Sequence, residues 1–286
     1  MLILDLNQVM ISNLMVSLNR EPDVNEDLVR HMILNSIRMY RNKFTKEYGE
    51  LIIACDDKNY WRKDIFPYYK AHRKEDRKAS THDWNKIFDC LNKIRDELKE
   101  YFPYRIIQVD RAEADDVIGV LAKRFGVYLN NTDTEKVLIL SGDKDFGQLQ
   151  KYLNIDQYSP VLKKWIRIND PHCFLREHIM KGDRGDGIPN FLSEDSCIIS
   201  KKRQKPLASK KLEGWVDLEP EKFCDEQMLK NYRRNESLVD LEKVPDQIVE
   251  KIMNEYDNYK IPKRNGLLNY FIKNRLKNLM DVIGEF

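Results

Sequence analysis

The chain of 286 residues is long enough for one large domain or two small ones around a buried core. Hydrophobic residues make up 42% of it, which argues against global disorder, and no apolar run of about eighteen residues is present to cross a membrane. Five widely spaced cysteines without a Cys-x-x-Cys pair, and a start without a basic segment, predict a reduced protein of the cytoplasm (of the host cell, if a phage encodes it), with neither disulfides nor a secretion signal.

The net charge of +2 conceals a strong segregation of charge along the chain. Residues 58–78 hold eight lysines and arginines against three acids, and residues 201–211 and 260–280 hold six each with no acid. One such segment is typical of a solvated surface. Three of them, in a chain whose acids cluster elsewhere, indicate a polyanionic partner.

Short apolar runs alternate with longer amphipathic stretches over the first 160 residues. The pattern predicts strands at residues 2–6, 51–55, 104–109 and 137–141, helices at 29–40, 84–98 and 113–125, a short helix from about 146, and a hairpin over 156–168. We therefore expect an α/β fold, a mostly parallel central sheet flanked by helices, over residues 1–180. The rest, residues 181–286, is expected to form a smaller helical domain.

An acidic residue follows each predicted parallel strand. A single aspartate in this place usually caps the next helix. Four strands that end this way favour a shared site, because the carboxyl ends of parallel strands meet at one edge of a sheet. With a fifth acidic motif at 181–187, the acids are Asp5, Asp56, Asp57, Glu113, Asp115, Asp116, Asp143, Asp145, Asp183 and Asp186.

Carboxylates that converge in this number would repel one another and raise each other's pKa. A hard divalent cation relieves the repulsion, and an all-oxygen donor set without His or Cys favours Mg²⁺ or Mn²⁺. The number of acids suits two ions about 3.5–4 Å apart, an arrangement used for phosphodiester hydrolysis.

Three motifs in combination resemble the signatures of the 5′-nuclease superfamily, which has a PIN-like core: Glu113-Ala114-Asp115-Asp116, residues 141–149 (SGDKDFGQL) and residues 182–189 (GDRGDGIP). The superfamily includes flap endonucleases, the 5′-exonuclease domains of bacterial polymerases and phage enzymes that remove RNA primers. The resemblance covers nearly the whole chain. It implies a Mg²⁺-dependent 5′-3′ nuclease with ribonuclease H activity, which cleaves RNA·DNA hybrids and 5′-end or flap DNA to short 5′-phosphate products during replication.

The same resemblance implies a role for each acid. Two Mg²⁺ ions are expected, with Mn²⁺ able to replace them. Asp5, Asp56, Asp115 and Asp143 match ligands of the first ion, Glu113 and Asp116 its inner or outer sphere, and Asp145, Asp183 and Asp186 the second ion. For Asp57 we favour a loop-capping role.

Residues 58–80 resemble the arch that stands over the metal ions in this superfamily, and they are called the arch region below. Lys70 and Arg73 are expected to stabilise the charge of the transition state from one helical face. The residues expected to hold the nucleic acid here are Arg62, Lys63, Lys74 and Tyr69, with Tyr68 as the alternative for stacking on a base.

Many relatives hold a K⁺ ion at a Gly-x-Gly turn after the last acidic motif, but this chain has Asn190-Phe191-Leu192-Ser193 there, so a K⁺ site is doubtful. Direct phosphate contacts from Lys201, Lys202, Arg203 and Lys205 are expected instead, with a flexible surface loop as the alternative. An apolar stripe over residues 268–283 predicts an amphipathic helix. It packs on the core or docks another replication protein, such as a single-strand binding protein or a sliding clamp, on a chain otherwise expected to be monomeric.

Two other functions fit an α/β fold with acidic strand ends. A phosphatase of the haloacid-dehalogenase type needs Asp-x-Asp after the first strand, and Asp5-Leu6-Asn7 has Asn in the third place. A catalytically silent DNA-binding module would keep the fold without a working carboxylate set, whereas the set here is complete.

Overall fold

A six-stranded sheet with the order β3-β2-β1-β4-β5-β6 forms the centre of the computed structural model, which describes residues 1–19, 23–129 and 134–286. The strands are β1 (Leu2–Asp5), β2 (Leu51–Ala54), β3 (Arg105–Ile107), β4 (Val137–Leu140), β5 (Ile155–Ser159) and β6 (Lys164–Ile166). The first five strands pair in parallel, and β5 and β6 form the antiparallel hairpin that the sequence predicts. The prediction of a mostly parallel α/β sheet is confirmed.

Helices flank the sheet and continue through the C-terminal part. They are α1 (Leu6–Leu18), α2 (Glu26–Tyr48), α3 (Arg62–Ile65), α4 (His72–Ala79), α5 (Trp84–Tyr101), α6 (Ala114–Phe125), α7 (Pro171–Lys181), α8 (Ser209–Trp215), α9 (Glu226–Val239), α10 (Asp246–Asn258), α11 (Leu267–Lys273) and α12 (Lys277–Met280). Residues 144–151 form a 3₁₀ helix. The sequence pattern did not predict α1, which continues β1 without a loop. Among the described residues, no helix is long and apolar enough to span a bilayer.

Side chains alternate between the two faces of the sheet because successive residues of a strand point in opposite directions. Leu2 and Leu4 of β1 pack with α1, α2 and α5 on one face, and Ile3 packs with α6 on the other. All three side chains are fully buried. This burial on both faces explains why the strands are short continuous apolar runs.

The C-terminal part of the chain packs in two different places. Residues of α7 and α9 join Phe66 and Tyr69 of the arch region in a third apolar cluster. The segments after residue 241 instead cover the sheet, with α10 against α6 and with Phe271 and Phe286 against the opposite face. The apolar stripe of residues 268–283 is thus partly core, although Leu268 and Ile272 remain exposed.

Candidate active site

A cleft of about 590 Å³ opens at the carboxyl ends of the parallel strands, where the strand order reverses next to β1. Such a crevice is the usual ligand-binding position of an open α/β sheet. Besides Asp76 of α4, five aspartates line it, and they come from β1, from the segments after β2 and β4, from α6 and from the loop after α7. These five residues, Asp5, Asp56, Asp115, Asp143 and Asp186, are called the carboxylate cleft.

Asp5 is both a helix cap and a member of the cleft. Its Oδ1 accepts a hydrogen bond from the Gln8 backbone N–H at 3.1 Å, which starts α1, and its Oδ2 accepts one from the Ser141 hydroxyl at 3.0 Å. Burial, reinforced by the charge of Asp56, raises the pKa of Asp5 to about 7. Capping and site formation are therefore not alternatives here, because one carboxylate does both.

The other cleft carboxylates repel one another in the same way. Burial and the charge of Asp145 raise the pKa of Asp143 to about 6, and burial and Asp143 hold the pKa of Asp115 well above its usual value. The pKa of Asp56 is also raised, mainly by burial, although the Ala114 N–H donates to its Oδ1 at 2.7 Å. A set of buried oxygen donors that resist ionisation together fits divalent cations of the Mg²⁺ or Mn²⁺ type.

A second pair of carboxylates, Asp145 and Asp183, lies beside the cleft with His178 between them. Nε2 of His178 is 3.0 Å from Oδ1 of Asp145 and 3.7 Å from Oδ2 of Asp183. Among the described residues, this is the one group of three or more His, Cys, Asp or Glu side chains whose ligand atoms all lie within 4.8 Å of one another. A histidine nitrogen therefore lies among acids for which the sequence predicts an all-oxygen donor set.

Glu113 is a buried anion held by three side chains of the arch region. Its Oε2 accepts hydrogen bonds from Arg62 and from the Tyr69 hydroxyl, each at 2.9 Å, and Lys70 pairs with its Oε1. Burial opposes its ionisation, but the charges of Lys70 and Arg62 outweigh burial and lower its pKa. Glu113 thus anchors the arch region below the cleft.

Lys70 and Arg73 both reach Asp186 at the edge of the cleft. The Lys70 backbone N–H donates to the Asp186 carbonyl at 2.7 Å, and Arg73 pairs with Oδ1 of Asp186 at 2.7 Å. Lys70 has a left-handed backbone (φ 54°) and precedes α4, so the expected common helical face is wrong. The side chains of Lys70 and Arg73 come together instead because of the turn between Lys70 and α4. This turn packs closely against Gly187.

Comparisons with known proteins agree with this geometry. The family model described as "5'-3' exonuclease, N-terminal resolvase-like domain" matches residues 5–176, and one described as "T4 RNase H, C terminal" matches residues 171–286. A ribonuclease H of Enterobacteria phage T4 is 34% identical over 99% of this chain and 95% of its own length. The chain belongs to the 5′-3′ exonuclease family. A flap endonuclease, Xni, of Shewanella pealeana is 35% identical over 48% of this exonuclease-family chain and 51% of its own length.

Solved structures of the bacteriophage T5 enzyme share the fold of this exonuclease-family protein. The T5 D15 protein co-crystallised with metal ions matches with a TM-score of 0.60 and 15% identity, over 91% of this chain and 99% of that one. A complex of a D15 flap endonuclease variant with DNA and metal ions matches with a TM-score of 0.58 and 16% identity, over 90% and 99%.

Three residues of this exonuclease-family protein are placed where their expected roles do not fit. Asp116 is fully buried, accepts a hydrogen bond from the Trp61 indole N–H at 3.0 Å and pairs with Arg62 at 2.8 Å. These contacts hold it at the first turn of α6, so it does not face a metal ion. Arg62 is 2% exposed. Its guanidinium already hydrogen-bonds acids and a backbone carbonyl, so it cannot bind a nucleic acid. Tyr69 is also 2% exposed, whereas Tyr68 presents its ring to solvent.

The remaining predicted nucleic-acid contacts are accessible. Their side chains all lie on the surface: Lys63, Lys74, Lys201, Lys202, Arg203 and Lys205. Asp57 accepts from the backbone N–H groups of Asn59 and Arg111, each at 3.2 Å, as a loop-capping acid does.

Sequence reasoning missed the aromatic side of the cleft and the histidine. Trp84 and Phe88 also line the cleft, with ring centroids 5.7 Å apart. The sequence predicts a helix over residues 84–98 that contains both, and nothing in its apolar spacing marks the two rings as part of a site. His178 carried no signal, since the fold alone brings it to Asp145.

Proposed function

We propose that this protein is a Mg²⁺-dependent, structure-specific 5′-3′ nuclease that cleaves RNA·DNA hybrids and 5′-end or flap DNA. By this activity it would remove RNA primers during DNA replication of the kind that phages carry out. The observation that carries the proposal is the carboxylate cleft, because aspartates from separate strand ends meet there beside the side chains of Lys70 and Arg73. The similarity to the T4 ribonuclease H over 99% of the chain supports RNA·DNA hybrids, and the similarity to the flap endonuclease Xni over 48% supports flap DNA.

Each group of residues has a distinct task. Asp5, Asp56, Asp115 and Asp143 would hold one divalent cation, and Asp145, Asp183 and Asp186 a second. Cations so bound supply the positive charge that activates water and offsets the charge of the phosphodiester transition state. Lys70, held by Glu113 and Asp186, and Arg73 would add charge in the same lining, where the oxygens of the phosphate gain negative charge.

The substrate path follows the exposed charge and rings. Lys63 and Lys74 of the arch region and the segment 201–205 offer charge to phosphates, and Tyr68 and Phe88 offer rings for stacking on bases. Contacts of these kinds read backbone and shape rather than sequence. A K⁺ ion is not needed for this binding mode, in keeping with the missing Gly-x-Gly turn.

The first test is cleavage of a labelled 5′-flap and of an RNA·DNA hybrid with and without Mg²⁺. Asp143→Asn should abolish cleavage and leave DNA binding within about threefold, since it removes a metal ligand and not a phosphate contact. The matched control is Asp281→Asn, a charge change at an exposed position. Normal cleavage by Asp143→Asn would contradict the ligand assignment.

The two alternatives give different results in the same assay. A silent DNA-binding module would bind the flap tightly without metal-dependent release of product. A phosphatase would hydrolyse p-nitrophenyl phosphate and leave the flap intact, and the position it would need as a second aspartate is Asn7, which lines the cleft.

A further inference from the structure

His178 is a buried imidazole without a satisfied hydrogen bond at the nitrogen that faces two carboxylates. The residue lies in the last turn of α7 and is 6% exposed. Its Nε2 and Oδ1 of Asp145 are both buried, and neither has a hydrogen bond of acceptable geometry within the described part of the chain, although they are 3.0 Å apart. Burying a polar atom without a hydrogen-bond partner costs folding free energy, so a further group bound between these two atoms would be stabilising.

The ring is held in this orientation by its own helix. Phe174, one turn earlier in α7, stacks on the imidazole with centroids 6.0 Å apart and an interplanar angle of 12°. The neighbouring 3₁₀ helix, which carries Asp145, packs on α7 through Gly147, where a Cβ would be 3.2 Å from the Phe174 ring. Both sides of the contact between His178 and Asp145 are therefore fixed by packing.

The spacing fits three ligands of one cation. Metal–nitrogen distances of about 2.0–2.1 Å place neighbouring ligand atoms about 3 Å apart when they meet at a right angle. The distance from Nε2 to Asp145, 3.0 Å, is of this size, and the distance to Asp183, 3.7 Å, fits two such bonds that meet at a wider angle. Lys144 pairs with Asp183 at 2.9 Å, but its side chain is 58% exposed and can turn to solvent when a cation arrives.

We propose that Nε2 of His178 is a ligand of the divalent cation held by Asp145 and Asp183. The inference rests on the proposed function, in which these two acids belong to the second cation. It makes that site a mixed nitrogen and oxygen site, unlike the carboxylate cleft. Imidazole favours transition metals over Mg²⁺, so the second position selects Mn²⁺ over Mg²⁺ while the first accepts both.

The test is pulsed electron paramagnetic resonance of the full-length protein with enough Mn²⁺ to fill two positions. The wild-type protein should show echo modulation from a directly bound nitrogen, and ¹⁵N labelling of the histidine rings should change the coupling to that of ¹⁵N. His178→Gln should remove this coupling and weaken Mn²⁺ binding at one position by roughly tenfold or more. His172→Gln, an exposed histidine on the same helix, is the matched control and should change neither.

Two results would overturn the inference. One is the absence of nitrogen coupling in the labelled wild-type protein, a measurement that needs no variant to fold. The other is coupling that persists in a folded His178→Gln variant. Cleavage of the flap by wild-type protein with Mg²⁺ is scored separately, so a failure of the nuclease function and a failure of the histidine ligand give different outcomes.

Discussion

At the scale of single residues, the buried acids of this protein divide by whether a protein cation faces them. Glu113 has Arg62 and Lys70 as partners, and its pKa is lowered despite burial. Asp5 has no such partner among the residues that the structure describes, and its pKa rises to about 7. An acid already paired within the protein stabilises the fold, whereas one that lacks a cation has charge left for a metal ion. This distinction separates Glu113 and Asp116 from Asp5, Asp115 and Asp143 of the carboxylate cleft, whereas Asp186 at the cleft edge pairs with Arg73.

Arg62 and Lys63 are neighbours in the chain with opposite placements, which gives a paired test. Arg62→Met leaves Glu113 and Asp116 buried without their guanidinium, and loss of one partner from such a network costs about 3–5 kcal/mol of stability. Lys63→Met should leave stability within about 0.5 kcal/mol, as at other exposed positions, and weaken flap binding. Chemical unfolding and binding titrations check both. A stable Arg62→Met protein with weakened binding would restore the contact expected from the sequence.

Lys70 should act on the chemical step. Its ammonium is fixed by Glu113 and Asp186 at the wall of the cleft, so Lys70→Ala removes a preorganised charge and should slow single-turnover cleavage roughly 10²–10³-fold. Lys78→Ala, an exposed lysine of α4, is the control and should leave this rate unchanged. An unaltered rate for Lys70→Ala at saturating enzyme would assign the residue to the anchoring of Glu113 alone.

At the scale of elements, the segment 201–205 is the largest accessible basic run beyond the arch region. Its four cations are exposed and make at most long ion pairs, such as Lys202 with Glu194 at 3.8 Å. Each phosphate contact adds about 0.9 to the slope of log affinity against log salt on duplex DNA. Replacing the four cations with serine should reduce the slope by up to about 4. Replacing Lys273 and Lys277 with serine should leave the slope unchanged. If the variant at 201–205 has the same slope as the wild-type protein, the segment is a surface loop that does not contact DNA.

Strands were readily predicted from the sequence because burial on both faces leaves short apolar runs that end in an acid. The parallel pairing of the first four strands and the meeting of the acids at one edge followed from this pattern. The missed features depend on packing between distant elements: α1 follows β1 with no turn signal, and His178 reaches Asp145 across 33 positions of the chain. The burial of Arg62 could not be predicted either, because a basic run in the sequence is typical of a solvated surface. The partners that bury it, Leu238 and Glu113, are far away in the chain.

At the scale of the whole molecule, the carboxylate cleft couples folding to pH and to metal. The pKa values of Asp5 and Asp143, about 7 and about 6, exceed the ordinary value of 3.8 that applies to the unfolded chain. The folded protein without metal therefore binds more protons than the unfolded chain between about pH 4 and 7, and its stability falls as pH rises through this window. Glu113, with a lowered pKa, acts in the opposite direction only below its ordinary value of 4.5.

Metal should reverse this dependence, because cations bind the ionised carboxylates and compete with protons. We expect Mg²⁺ to raise the Tm by several degrees at about pH 8, roughly the effect of 2–3 kcal/mol of binding energy, and by little at about pH 5.5. In EDTA, the Tm should instead be higher at about pH 5.5. Asp5→Asn should shrink both differences, since it removes a titrating ligand, and Asp281→Asn should preserve them. A Mg²⁺ effect that is equal at the two pH values would show that the cations bind outside the carboxylate cleft.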